Sequence, residues 1–161
     1  MTKQLKLHGL KDLSRVQKNT IKDFLYMCAE DNLEYYHTGS RLVAKTHWDD
    51  VDFVVKVDNI AKYKDQLASE GWSDNDEYKE LEKEFESVKK NNINIILTQD
   101  QEYFNKWVEA SNIVSTYQIK EKDNRIAAFG YVFKRVGFTV KDFQNAITNS
   151  KPEFGLIAVP F

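Results

Sequence analysis

Two aspartates at the start of a strongly apolar segment are the residues best suited to chemistry in this sequence. Five of the seven residues in segment 51–57 are valine or phenylalanine, which predicts a β-strand. Successive strand side chains point to opposite faces, so Asp50 and Asp52 share one face while Val51 and Phe53 share the other. A rise of about 3.3 Å per residue places the two carboxylates roughly 7 Å apart.

Two carboxylates held this close repel each other unless positive charge lies between them. Hard oxygen ligands of this kind suit Mg²⁺, or the similar Mn²⁺, which takes its remaining ligands from water and substrate phosphates. Asp50 and Asp52 are therefore candidate metal ligands. The alternative is a turn at the strand entrance, in which Asp49 and Asp50 are simply solvated.

A glycine–serine pair precedes the acidic strand and suggests a phosphate-binding turn. Segment 33–38 is rich in tyrosine and predicts a short strand that ends at Gly39. A glycine directly after a strand lets the backbone approach a ligand closely and point its amides at phosphate oxygens. Ser40 adds a hydroxyl, and Arg41 or Lys45 can meet phosphate charge. The turn and the acidic strand together are more specific than either alone.

The run Gly39-Ser40-Arg41, followed by Asp50-Val51-Asp52-Phe53, resembles the signature of the nucleotidyltransferase superfamily. The chain looks most like the small nucleotidyltransferase-like proteins of tailed phages, although the motif covers only about a tenth of it. The resemblance implies a nucleotidyltransferase-like fold in which Gly39-Ser40-Arg41 contacts a nucleoside triphosphate. It also implies that Asp50 and Asp52 are catalytic and hold Mg²⁺ or Mn²⁺ while a nucleoside monophosphate is transferred.

One position departs from the pattern of that superfamily. Its members commonly supply a third carboxylate from a later strand, and the corresponding residue here is Asn94. An amide can bind a cation through oxygen but carries no charge and cannot act as a base. This weakens a two-metal mechanism. Glu86 or Asp100 could substitute, or Asn94 could simply satisfy its own local hydrogen bonds.

Further polar residues are candidates for the cleft around this site. His37 lies beside the turn, where it would contact substrate or else pack as an ordinary strand residue. Ser87 and Lys89 alternate onto one face of a later strand and could line the cleft. Trp48 could stack on a base, although such a residue more often belongs to the core.

The patterns predict a mixed α/β (α+β) fold, with a mixed sheet flanked by helices and a helical C-terminal half. A single domain, 1–161, would comprise a sheet-containing core with an N-terminal helix at 1–98, helices at 99–150 and an apolar tail at 151–161. In the N-terminal part, the patterns predict a helix at 14–30 with a Ser14–Gln17 capping box and a second helix that is capped by Asp58 and ends at Gly71. A β-hairpin follows, with strands at 85–89 and 93–98. Three more helices are predicted, capped by Thr98, Asp123 and Thr139, and Ile126 and Val140 are expected to face inward in the last two.

Composition indicates the setting of the protein. The net charge of −2 gives no support to nucleic-acid binding or to attraction to an anionic membrane. Cys28 is the only cysteine, which is typical of a reducing compartment. The first residues are too polar for a secretory signal, and no apolar run is long enough to span a membrane. We therefore expect a cytoplasmic protein, in the host cytoplasm if a phage encodes it.

Two functions follow from the motif and its departure. The first is Mg²⁺-dependent transfer of a nucleoside monophosphate from a nucleoside triphosphate to an unknown acceptor, which could be a protein or RNA hydroxyl or a small molecule. The resemblance makes a host protein or a toxin a reasonable protein acceptor. The second is a binding module that has lost chemistry and binds a nucleotide or inhibits a host protein, with the acidic stretch 74–86 and the tail as contact surfaces. A carboxylate beside Asp50 and Asp52 favours the enzyme, and its absence favours the module.

Overall fold

The computed structural model describes residues 6–44, 46–48, 50–75 and 85–150. The apolar tail and most of the acidic stretch lie outside the described residues, so the expectations for them stay predictions. Lys45, predicted to meet phosphate charge, also lies outside.

A five-stranded mixed sheet confirms the predicted fold class. Its strands are β1 (Glu34–Thr38), β2 (Val51–Lys56), β3 (Ser73–Asp74), β4 (Phe85–Lys90) and β5 (Ile93–Thr98). Their spatial order is β1-β2-β5-β4-β3. Strands β2 and β5 run parallel, while every other neighbouring pair is antiparallel.

The described residues form five helices: α1 (Arg15–Glu30), α2 (Ile60–Ser69), α3 (Gln101–Tyr117), α4 (Lys122–Val132) and α5 (Val140–Asn149). Helices α1 and α2 bury a core against one face, which includes Phe24, Phe53 and Tyr63. Helix α3 packs on the other face through Phe104 against Val54. Helices α4 and α5 form a further core with α3, which confirms the helical C-terminal half. No helix among the described residues is long and apolar enough to cross a membrane.

A tight turn fixes the register of the β4–β5 hairpin. Its two residues, Asn91 and Asn92, have φ values of 52° and 64°. A two-residue turn with both φ values positive matches the twist of the flanking strands, and asparagine tolerates that conformation better than most residues. The turn places Lys89 opposite Asn94, so the two side chains share a face of the sheet.

Three predicted helix ends are confirmed. Ser14 and Gln17 form a capping box at the start of α1, and Thr139 and Asp142 form one at the start of α5. Helix α2 ends in a Schellman motif around Gly71, whose φ is 97°.

Three predicted caps were wrong by one or two residues. Asn59, not Asp58, caps α2 by accepting from the amide of Lys62. Asp100, not Thr98, caps α3 and accepts from two backbone amides. In these two cases a second side chain able to cap stands nearer the first free amide groups, and the third wrong cap, Asp123, belongs to α4.

Helix α4 begins at Lys122, so Asp123 lies within its first turn and Glu121 occupies the N-cap without a side-chain hydrogen bond. Ile126 and Val140 were expected to face inward but are exposed. Ala128 of α4 and Phe143 of α5 are buried and pack in the same core.

Tyr63 makes stability sensitive to alkaline pH. Burial, its hydrogen bond to the Asp31 carboxylate and nearby negative charge raise the pKa of Tyr63 to about 12 from 10.0. Since the folded chain holds this proton more tightly than the unfolded chain, stability is complete below pH 10 and falls as pH rises toward 12. We expect Tyr63→Phe to reduce the loss of unfolding free energy that urea melts measure between pH 9 and 12. If the free energy of unfolding falls equally steeply with pH in the wild type and in Tyr63→Phe, this role of Tyr63 is contradicted. Burial also raises the pKa of Tyr36, so part of the alkaline pH dependence should remain in the Tyr63→Phe variant.

Candidate functional site

The candidate site lies at the edge of the sheet where β1 ends and β2 and β5 begin. Backbone register places Thr38 opposite Asp52, Asp52 opposite Asn94, and Asn94 opposite Lys89. Directly opposed residues of neighbouring strands point to the same face. These four side chains therefore form a row across the sheet, on the face that α3 covers.

The carboxamide of Asn94 joins the two aspartates. Its Nδ2 donates to Asp50 Oδ2 at 2.9 Å and to Asp52 Oδ1 at 2.9 Å. The two carboxylates therefore approach the same nitrogen, and their bonded oxygens are separated by at most twice that length. Asn94 is only 5% exposed, and its Oδ1 accepts a longer bond of 3.4 Å from Asn75 Nδ2. The Nδ2 group of Asn94, which carries partial positive charge, thus lies between the two aspartates, where the sequence predicts a divalent cation.

Gly39 lies directly against one of these carboxylates. Its backbone has φ 83° and ψ −163°, a region that is essentially restricted to glycine. A Cβ atom added at this position would overlap Asp52 Oδ2. The neighbouring Thr38 accepts a hydrogen bond of 2.9 Å from Ser111 of α3, which holds the end of β1 in place. The glycine turn and the acidic strand are therefore in contact, as the motif predicts.

Arg41 connects the turn after β1 to the N-terminal segment. Its Nη1 donates to the carbonyl oxygens of His8 and Gly9 at 3.1 and 2.9 Å. Its guanidinium lies over the Trp48 ring, and the residue is 5% exposed. Trp48 Nε1 in turn donates to the Val43 carbonyl. The guanidinium expected to meet phosphate charge instead holds the N-terminal segment, and Trp48 packs there and does not face the acidic edge.

Neither proposed substitute for the third carboxylate reaches the site. Glu86 points to the opposite face of the sheet and pairs with Lys64 of α2 at 3.2 Å. Asp100 caps α3. In the part of the chain that the structure describes, no group of three or more histidine, cysteine or acidic side chains is placed to hold a metal ion. The donor set at this edge consists of two carboxylates and one carboxamide.

The remaining candidates divide between the two faces. His37 is paired with Phe53 and packs edge-on against its ring at 5.1 Å, on the face of α1. Of the two alternatives for His37, the structure therefore shows packing as a strand residue and not a place in the cleft. Ser87 and Lys89 both lie on the face of Asn94, with Ser87 buried and Lys89 exposed. Ser40 opens a short 3₁₀ turn after Gly39.

An open groove of about 540 Å³ extends from the acidic edge toward the β4–β5 turn. It is lined by Asp50, Gly71, Ser73, Asn75, Lys89, Lys90, Asn91, Asn92 and Asn94. Asn75 was not predicted as a site residue, because it lies within an acidic stretch without periodicity. Only the pairing of β3 with β4 brings this residue beside Asn94.

The fold and the site define a mixed α/β protein with an acidic, amide-bridged sheet edge beside a glycine turn. No family model matches the chain, and no curated protein matches it. The chain is similar to the crystal structure of the conserved protein GrpB from Enterococcus faecalis, with 12% identity and a TM-score of 0.48. The likeness covers 85% of this chain and 93% of the other. The function is therefore inferred from the chain's own residues.

Replacing Gly39 with alanine tests the contact between the turn and the acidic strand. We expect Gly39→Ala to lower the free energy of unfolding by about 2–4 kcal/mol, because backbone strain and displacement of the Asp52 carboxylate act together. Gly137→Ala is the matched control: Gly137 has φ 93°, but an added Cβ meets nothing within 4 Å. The control should cost only about 1 kcal/mol. Equal losses in chemical denaturation would show that Gly39 is not held against Asp52.

Proposed function

We propose that this chain is a nucleotidyltransferase-like protein that binds a nucleoside triphosphate through one divalent cation, Mg²⁺ or Mn²⁺. The observation that carries this proposal is the convergence of Asp50 and Asp52 on one atom of Asn94, directly beside Gly39. The two acids would be metal ligands, and the backbone of Gly39 and Ser40 would contact phosphate oxygens.

The donor set fits a hard cation. Asp50 and Asp52 supply charged oxygen atoms, which Mg²⁺ prefers. Asn94 supplies a carboxamide oxygen when its amide reverses, since oxygen and nitrogen occupy equivalent positions on that group. The bound cation would supply positive charge that neutralises both the carboxylates and the triphosphate. The protein's own contribution is to fix the two carboxylates and to keep the turn in contact with them.

Nucleotidyl transfer is the second candidate function, and the resemblance of the Gly-Ser turn and Asp-x-Asp strand to the superfamily favours it. An acceptor hydroxyl oxygen would bond to the α-phosphorus, the bond from that phosphorus to the β-phosphate oxygen would break, and pyrophosphate would leave. The hydroxyl proton would pass to water, because the Asn94 amide cannot accept it. The acceptor hydroxyl would belong to a protein, with a host protein or a toxin as the partner, to RNA or to a small molecule.

Calorimetric titration tests cation-dependent nucleotide binding. We expect a non-hydrolysable ATP analogue to bind in MgCl₂ and to lose most of its affinity in EDTA. Asp52→Asn should weaken binding about tenfold or more, because it removes a charged ligand. Asp65→Asn, which removes an exposed carboxylate from α2, is the matched control and should bind as the wild type does. Binding that ignores both Mg²⁺ and Asp52→Asn would remove the assigned site.

Asn94→Asp tests the role of the amide. A third carboxylate in contact with Asp50 and Asp52 should lower the Tm in EDTA, because three like charges meet in a largely buried place. Mg²⁺ should then raise the Tm of the variant by more than it raises that of the wild type. Thermal melts followed by circular dichroism measure both. An equal response of the two proteins to Mg²⁺ would show that Asn94 does not face the cation.

A transfer assay separates the enzyme from the binding module. The wild-type protein is incubated with α-labelled nucleoside triphosphates, Mg²⁺ or Mn²⁺, and either RNA or a host lysate. If the chain transfers nucleotide, label appears on an acceptor, and Asp50→Asn/Asp52→Asn abolishes it. Nucleotide binding without label in any acceptor supports the binding module. Equal labelling by the wild type and the double variant would contradict both assignments of these aspartates.

A further inference from the structure

We propose that the groove beside the acidic edge binds a phosphate-bearing sugar, with Lys89 contacting its phosphate. The role of this ligand as the acceptor of nucleotidyl transfer rests on the function proposed above. The binding itself rests on the groove's own residues and is tested separately.

The first step is the position of the groove relative to the acids. In the strand order β1-β2-β5-β4-β3, the Gly39 turn lies on the β1 side of Asp52, while Lys89 and Ser73 lie beyond Asn94 on the β4 and β3 side. Turn and groove therefore flank the acid pair from opposite directions. A triphosphate at the turn and a second ligand in the groove would both reach the acidic edge without overlapping.

The second step is the chemistry of the lining. Four asparagines and Ser73 contribute side chains that both donate and accept hydrogen bonds, which suits the hydroxyls of a sugar. Among the described residues that line the groove, none is aromatic or a large apolar residue, so this part of the lining favours a hydrophilic ligand over a stacked base. A volume of about 540 Å³ lies within the range of sites for small organic ligands.

The third step is the charge of the groove. The described lining includes two lysines, Lys89 and Lys90, and one acid, Asp50. Lys90 is already anchored, because its Nζ donates to the carbonyl of Glu70 at 2.6 Å. Lys89 is exposed, and among the described residues its ammonium has no hydrogen-bond acceptor or ion-pair partner. The register partner of Lys89 is Asn94, and Lys89 lines the same groove as Asp50, so this lysine can supply the cation that an anionic ligand needs there.

Ribose 5-phosphate is the probe for this site. In NMR titrations of the full chain, we expect it to shift the side-chain amide signals of Asn75, Asn91 and Asn92. Lys89→Gln should weaken binding about tenfold, because it removes a charge-assisted hydrogen bond, and Lys89→Arg should retain most of it. Lys122→Gln, which removes an exposed lysine from the start of α4, is the matched control and should bind normally. Ribose without phosphate should bind at least about tenfold more weakly than ribose 5-phosphate.

Two arms distinguish the source of the sugar phosphate. Binding of ribose 5-phosphate that exceeds that of a 5′-phosphorylated diribonucleotide supports a free sugar phosphate, whereas the reverse supports a nucleic-acid end. Absence of shifts with both probes, or unchanged affinity in Lys89→Gln, overturns the proposal. Loss of Mg²⁺-nucleotide binding in Lys89→Gln also overturns it, because Lys89 would then serve the triphosphate. Ribose 5-phosphate binding without any Mg²⁺-nucleotide binding would leave the groove assigned and reject only the proposed function.

Discussion

The contact of one neutral amide with two carboxylates is the constraint on which the candidate site depends. Parallel pairing of β2 with β5 brings Asn94 beside Asp52, and its Nδ2 bonds both acids at 2.9 Å. A donor shared in this way offsets part of the repulsion between two like charges at the edge of a buried sheet. It also fixes where a cation would have to enter, since the amide nitrogen and a cation would compete for the same oxygens.

Much of the fold was predictable because local patterns determine it. The valine-rich strand β2, the buried stripe of α1 and the Asn91-Asn92 turn each carry a signal within a few residues. The caps at Asp58 and Thr98 were wrong because a second capping side chain follows each within two residues, and periodicity does not choose between them. The inward faces of α4 and α5 depend on which helix packs against which, and this is a tertiary property.

The core of the site was predictable for the same reason, whereas its surroundings were not. Asp50, Asp52 and Gly39 lie within fourteen residues of each other, and strand alternation relates the two acids. Arg41, however, bonds residues more than thirty positions away in sequence, which no local pattern reveals. The face on which His37 lies follows from its pairing with Phe53, and this register is fixed only when β1 docks on β2.

A half-buried lysine of α2 helps to hold strand β3 at the outer side of the groove. Lys64 of α2 lies 3.2 Å from both Asp74 of β3 and Glu86 of β4. Strand β3 has only two residues, so its backbone ladder contributes little, and this three-charge cluster adds to its attachment. Exposed ion pairs are worth at most about 1 kcal/mol and weaken as dissolved ions screen them. The order of the strand that carries Ser73, and with it the shape of the groove, therefore depends on the ionic strength of the surrounding solution.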